Sequence, residues 1–195
     1  MDSGDIVFGS RYERGSVDGY VLSELLASEP DLRYTLALQF SRLVAVDAFL
    51  SNSDRSFSNL LWLPEDCTVV RPPAYDNGEA GGAVIAIDFA NCLFTSGESL
   101  ASPGFDAKSS SDRFYTGLAR AGFIEGRQVG HTLNALLTLP NGFLDMVLQR
   151  CPKRWLDGED LTRIHTWWAS RQRGSRVDQT EEWLANVAKI SIRHS

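Results

Sequence analysis

The apolar positions of this chain concentrate first between residues 36 and 50. Leu36, Phe40, Leu43, Ala45, Val46 and Phe49 cover most of a helix circumference, which predicts a central buried helix rather than a surface one. Its start is marked by Ser28-Glu29-Pro30-Asp31, a serine cap followed by proline in the first turn and an acid, and it runs to about Leu50. Asp47 is the one charged residue on its inner side. A buried acid must be paired, so Asp47 is expected to hold the backbone of the next loop rather than to do chemistry.

A polar stretch, residues 51–59, follows. Leu60-Leu61-Trp62-Leu63 is then short and apolar, the length of a strand, and Pro64 ends it. Pro72-Pro73, Asp76-Asn77-Gly78 and Gly81-Gly82 predict a loop over residues 64–82. A second strand, Ala83 to Ile87, delivers Asp88 at its end, and the two strands are expected to pair as a β-ribbon.

From residue 111 onward the pattern is helical. Ser110 or Ser111 caps a helix ending at Gly122; a second runs from Gly126 to Leu139, stopped by Pro140; a third covers 141–150. Asp157-Gly158-Glu159-Asp160 opens a fourth with Leu161, Ile164 and Trp168 on one face. Asp178-Gln179-Thr180-Glu181 reads as a capping box for the last, with Trp183, Leu184 and Val187 inward. The first thirty residues are punctuated by Gly and Ser, with a short apolar patch at Tyr20-Val21-Leu22 and Leu25-Leu26, and read as a linker or hinge-like segment. The fold class is therefore mainly α with a small β-ribbon (α+β), in one domain over residues 31–195.

Composition narrows the function classes. With 43% hydrophobic residues the chain can build a core, and a net charge of −6 argues against a nucleic-acid partner. The basic run Arg171 to Arg176 reads as a solvated helix end and turn. Cys67, Cys92 and Cys151 are odd in number and show no metal or disulfide spacing, which implies reduced thiols. There is no leader-like or membrane-length apolar run, so a cytoplasmic protein without a membrane partner is expected. His131 and His165 read as ordinary helix residues, and Trp168 as core, with base stacking by Trp167-Trp168 as the alternative. Ser109-Ser110-Ser111 reads as a polar loop before a helix cap, with autophosphorylation as the alternative.

The chemistry-bearing constellation lies in the polar loop. Phosphoryl transfer needs a carboxylate to take the acceptor's hydroxyl proton and oxygen ligands for Mg²⁺ on the phosphates. Asp54 and Asn59 have the Asp-x₄-Asn separation such sites use, and Asp88 ends the following strand. That spacing is weak by itself; the long helix, polar loop and two strands around it give it weight.

Residues Asp47-Ala48-Phe49-Leu50-Ser51-Asn52-Ser53-Asp54-Arg55, followed by Asn59-Leu60-Leu61, resemble the catalytic-loop signature of HipA-like kinases. A more distant similarity is to the phosphatidylinositol 3/4-kinase loop. Val84 to Ala90, with Leu93-Phe94, resembles the group's metal strand, and Phe8-Gly9-Ser10-Arg11-Tyr12 the segment leading from its nucleotide-binding lobe. The resemblance implies a protein-kinase-like C-terminal lobe, with catalytic loop 51–59, metal strand 83–88 and helices over 111–192. It implies ATP and Mg²⁺ as cofactors and a protein Ser/Thr hydroxyl as acceptor. Asp54 would be the catalytic base, Arg55 an electrostatic partner near the active site, and Asn59 and Asp88 the Mg²⁺ and nucleotide ligands. Two positions depart: Ser56 stands where the group has His, and Ala90 where it commonly has Gly.

The lobe that would cover the phosphates is not legible. No Gly-x-Gly-x-x-Gly or Gly-Lys-Ser/Thr run occurs, and the three lysines, Lys108, Lys153 and Lys189, all follow Asp88. The implied partners are therefore a protein substrate and a separate N-terminal lobe or antitoxin-like protein; a chain begun late is the other explanation. The reading from another class is a non-catalytic kinase-fold module that binds a partner through its helical face.

Overall fold

The computed structural model describes residues 15–29, 32–64, 82–88, 92, 104–105, 108–149, 158–186 and 188–192. Pro30, Asp31, the turn residues 72–81, Asp157, Val187, Cys67 and Cys151 lie outside them, as do Phe8 to Tyr12, Ala90, Leu93 and Phe94. The described residues are mainly helical, with one small antiparallel sheet. In chain order they are β1 (Val17–Asp18), α1 (Gly19–Ser28), α2 (Arg33–Leu50), a 3₁₀ turn (Phe57–Asn59), β2 (Leu60–Leu63) and β3 (Ala83–Ala86). The helices α3 (Ser110–Arg120), α4 (Gly126–Thr138), α5 (Asn141–Leu148), α6 (Gly158–Ala169) and α7 (Gln172–Asn186) follow.

The helix expected at the centre is there, but it starts at Arg33, and Ser28, the expected cap, is the last residue of α1. Leu36, Phe40, Val44, Ala45, Ala48 and Phe49 of α2 are buried, and α2 packs against α4, α7 and β3. Buried polar groups tie it to its neighbours. The Ser41 hydroxyl donates to the Ala37 carbonyl (2.6 Å) and accepts the Glu125 N–H (2.7 Å), which seats the start of α4. The Gln39 amide accepts the Val84 N–H and donates to the Gly82 carbonyl, at 2.6 and 3.0 Å, acting as a further ladder partner for β3.

β2 and β3 pair antiparallel, Leu60 opposite Ala86 and Leu63 opposite Ala83, as the two apolar runs predict. The sheet has a third strand that the pattern does not announce: β1 pairs with β2 through Val17–Trp62 and Asp18–Leu61. Asp18 then caps α1, its carboxylate accepting the Tyr20 and Val21 N–H groups at 2.9 and 3.1 Å. The segment read as a linker thus carries a strand and a ten-residue helix, and Leu22 is fully buried. Its apolar patch is too short to stand out by periodicity; packing against β2 and the 3₁₀ turn stabilises it.

The last helix corrects a boundary. α7 begins at Gln172, with the Ser170 hydroxyl accepting the Gln172 N–H, so Asp178 to Glu181 lie inside the helix and form no capping box. Thr180 is buried and its hydroxyl bonds back to the Arg176 carbonyl at 2.7 Å. Extending the helix upstream buries Arg176 and Val177, and that packing outweighs the local cap signal. The basic run is a turn residue, Arg171, and the first part of α7; Arg171, Gln172 and Ser175 are exposed, as a solvated helix end implies, but Arg176 is buried. α3 is capped by Ser109, whose hydroxyl accepts the Asp112 N–H at 3.1 Å, one or two residues before the expected cap. Trp167 and Trp168 are core residues, Trp167 against Phe49 with ring centroids 5.9 Å apart. Among the described residues, no helix is long and apolar enough to cross a membrane.

Gly19 marks the tightest approach near the polar loop: a Cβ there would overlap the Phe57 carbonyl and sit 3.2 Å from the Leu60 Cβ. Gly19→Ala should push α1 off the 3₁₀ turn and cost about 1–3 kcal/mol. Urea denaturation checks this through a lower midpoint at unchanged slope.

Candidate functional site

The polar loop starts where α2 stops, and α2 stops without glycine. Ser51 takes a left-handed conformation (φ 56°), its N–H reaching the Ala48 carbonyl at 3.2 Å while the Asn52 N–H reaches the Asp47 carbonyl at 2.8 Å. These two bonds are those of a Schellman closure. Arg176, from α7, completes it: Nε donates to the Phe49 carbonyl and Nη2 to the Ser51 hydroxyl, both at 2.8 Å. A cation at a helix C-terminus also meets the negative end of the helix dipole. Burial lowers the Arg176 pKa to about 10.

Below the loop lies a buried ion pair. Arg55 and Asp47 are both inaccessible to solvent; Nε meets one carboxylate oxygen at 2.8 Å and Nη2 the other at 3.2 Å. The same carboxylate accepts the Asn52 side-chain amide at 3.0 Å and the Tyr115 hydroxyl of α3. The Asp47 carboxylate is paired as expected, but it holds the loop through the side chains of Arg55 and Asn52 and not through the loop backbone. Burial works against the charge on Arg55, but hydrogen bonding and attraction to Asp47 outweigh it and raise its pKa. Burial, then Asp47, pushes the Tyr115 phenol well above its ordinary value, so it stays a donor.

The remaining guanidinium nitrogen connects the loop to the sheet. Nη1 of Arg55 donates to the Asn59 carbonyl (2.8 Å) and to the Ile87 carbonyl (2.6 Å). The Ile87 N–H in turn donates to the Asn59 carbonyl at 3.0 Å, continuing the Leu60–Ala86 register by one pair. Asn59 and Ile87 are therefore opposite one another at the end of the ribbon, and Asp88 is the next residue out. Asp88 is exposed and left-handed (φ 57°), an uncommon backbone for a side chain and a conformation that concentrates at functional sites.

Asp54 sits at the apex of the loop, exposed, with its backbone held on both sides. Its N–H donates to Asn52 Oδ1 at 3.3 Å, and its carbonyl accepts the Asn59 side-chain amide at 2.8 Å. That last bond orients Asn59: with Nδ2 committed to Asp54, Oδ1 is the atom left to accept. It receives Ser58 Oγ at 2.9 Å and Ser56 Oγ at 3.5 Å, and the two hydroxyls are 2.7 Å apart. Ser56 thus closes a small hydroxyl chain around the Asn59 oxygen.

The tertiary structure brings Asp54, Asn59 and Asp88 to one end of the ribbon, whereas Arg55 is beneath it. Among the described residues, no group of three or more His, Cys, Asp or Glu side chains could hold a metal. The candidate ligands are one carboxylate and one amide oxygen, hard donors of the kind Mg²⁺ accepts alongside water and phosphate. Pattern reading missed Ser111, Tyr115 and Arg176, which reach the loop from α3 and α7. Beside the loop, an open groove of about 670 Å³ runs between α1 and α3, lined by Tyr20, Leu26, Phe57, Arg113 and Phe114.

Asp47→Ala should destabilise the chain by about 3–5 kcal/mol, since it leaves the Arg55 charge buried without its anion; chemical denaturation measures it. A second expectation concerns alkali. Cys92 is pushed up from 9.0 to about 12, by burial and then by Asp47, and Tyr115 is raised as well. Both keep protons in the folded chain that the unfolded chain releases, so their contribution is complete below pH 9 and is lost as pH rises toward 12. Arg176 acts in the opposite sense above about pH 10. Thermal melts of the parent and Cys92→Ala from pH 8 upward separate these, with a shallower decline for the variant.

No model of a known protein family matches the chain and no curated protein matches it, so the reading of the site stands on the geometry above.

Proposed function

We propose that this chain is the C-terminal lobe of a HipA-like kinase that transfers the γ-phosphoryl group of Mg²⁺-bound ATP to a protein Ser/Thr hydroxyl. The observation that carries the reading is the pair of hydrogen bonds that Arg55 Nη1 donates to the Asn59 and Ile87 carbonyls. It holds the apex loop and the Asp88 strand end on one buried ion pair, so the candidate base and the two candidate Mg²⁺ ligands share one support.

In this reading Asp54 accepts the acceptor's hydroxyl proton as its oxygen bonds to phosphorus and the bond to the β-phosphate oxygen breaks, leaving ADP. Asn59 Oδ1 and the Asp88 carboxylate would hold Mg²⁺, and the ion would supply neutralisation of the phosphate charge. The orientation of Asn59, imposed by its amide bond to the Asp54 carbonyl, supports a ligand role for Oδ1. Arg55 is buried under the loop, so in this reading it is a positioning residue. The lobe that covers the phosphates comes from outside these 195 residues, in keeping with lysines found only after Asp88 and no glycine-rich phosphate loop.

Calorimetric titration with Mg²⁺-ATP, with and without a co-expressed partner lobe, tests the reading. Binding is expected in at least one condition and is lost in Asp88→Ala. Asp54→Asn should retain binding and lower transfer by about 10²–10⁴-fold. Absence of nucleotide binding in both conditions, with Asp88→Ala indistinguishable from the parent, would leave a non-catalytic interaction module as the function.

A further inference from the structure

We infer that Ser111, at the start of α3, is the positioning residue for the Asp54 base; its catalytic part rests on the kinase reading. Ser111 is fully buried, 56 residues along the chain from Arg55, and makes three hydrogen bonds to the loop backbone. Its hydroxyl donates to the Asn52 carbonyl at 2.5 Å and accepts the Arg55 N–H at 2.7 Å, while its own N–H donates to the Ser53 carbonyl at 3.3 Å.

The identity of those groups gives Ser111 its effect. The Ser53 carbonyl belongs to the peptide plane before Asp54, and the Arg55 N–H to the plane after it. One residue therefore holds both planes that set the Asp54 backbone, and so the direction in which its carboxylate leaves the loop. From the opposite side the same two planes are held by Asn52 Oδ1 on the Asp54 N–H and Asn59 Nδ2 on the Asp54 carbonyl. Asp54 itself is exposed, so these four backbone bonds fix where its side chain starts.

A hydroxyl donates to Asn52 and accepts from Arg55 with one atom, which a thiol does only weakly and an aliphatic side chain not at all. Alanine would leave a buried carbonyl and a buried N–H without these partners. Tyr115 lies four residues later, on the same face of α3, and its hydroxyl holds Asp47. Seating α3 is thereby coupled to the shape of the loop at two points: Tyr115 at the ion pair, Ser111 at the peptides around the base.

Hydrogen exchange on the full chain, comparing the parent with Ser111→Ala and Tyr115→Phe, tests the structural part. Ser111→Ala should raise exchange of the Arg55 amide by about tenfold or more while the α7 amides near Leu184 keep their protection. Tyr115→Phe should lower the melting temperature but leave the Arg55 amide protected. With the partner lobe that supports transfer by the parent, Ser111→Ala should reduce kcat by about 10²-fold and leave the KM for Mg²⁺-ATP within about twofold. Unchanged Arg55 protection, or equal loss across all helices, overturns the positioning role. If Ser111→Ala does not fold, Ser111→Cys, a weaker donor and acceptor of similar size, carries the same comparison. A parent that binds no nucleotide overturns the kinase reading, while the exchange result still decides whether Ser111 sets the loop.

Discussion

A guanidinium group without access to solvent is tolerated only when its charge and its donors are met, and in this chain Arg55 has both. Asp47 supplies the charge, and the Asn59 and Ile87 carbonyls take the remaining nitrogen. Removing two ions from water is costly, and a pair of this kind gains little net stability over apolar residues of the same shape. Its consequence is geometric. The helix end, the loop and the far end of the β-ribbon come to one point because each contributes a group that Arg55 or Asp47 requires.

The network is closed from two further helices. Tyr115 of α3 donates to Asp47, and Ser111 threads between the Asn52 carbonyl and the Arg55 amide. Arg176 of α7 covers the last turn of α2. Hydrogen bonds in such low-dielectric surroundings reinforce one another when all members are satisfied, and an unmet member is expensive. The loop carrying Asp54 is thus irregular in backbone yet anchored on every side but the one that faces solvent.

Much of this frame was legible along the chain. The apolar circumference of α2, the two short strands and their pairing, and the helices α3 to α6 all follow from local periodicity and from Pro, Gly and Ser at their ends. The need of Asp47 for partners followed from its place on a buried face. Less legible were elements whose local signal is weak or misleading. α1 has too few residues to show a clear period, β1 has only two, and Ser51 ends α2 in a left-handed turn usually announced by glycine. The Asp178 to Glu181 motif looked like a helix start because a capping box is read from four residues, whereas the start of α7 was decided by the burial of Arg176 and Val177.

The sequence by itself therefore determined the helical class, the ribbon, and the polar loop that holds Asp54, Arg55 and Asn59 ahead of Asp88. Tertiary structure alone decided that Arg55 lies beneath the loop, and that Ser111 and Arg176 reach it from 56 and 125 residues away. The physical reason is the nature of the partners. Side-chain periodicity reports which face of an element is buried, but Ser111 and Arg176 bind mainly backbone carbonyl and N–H groups, which every residue carries and no sequence pattern marks.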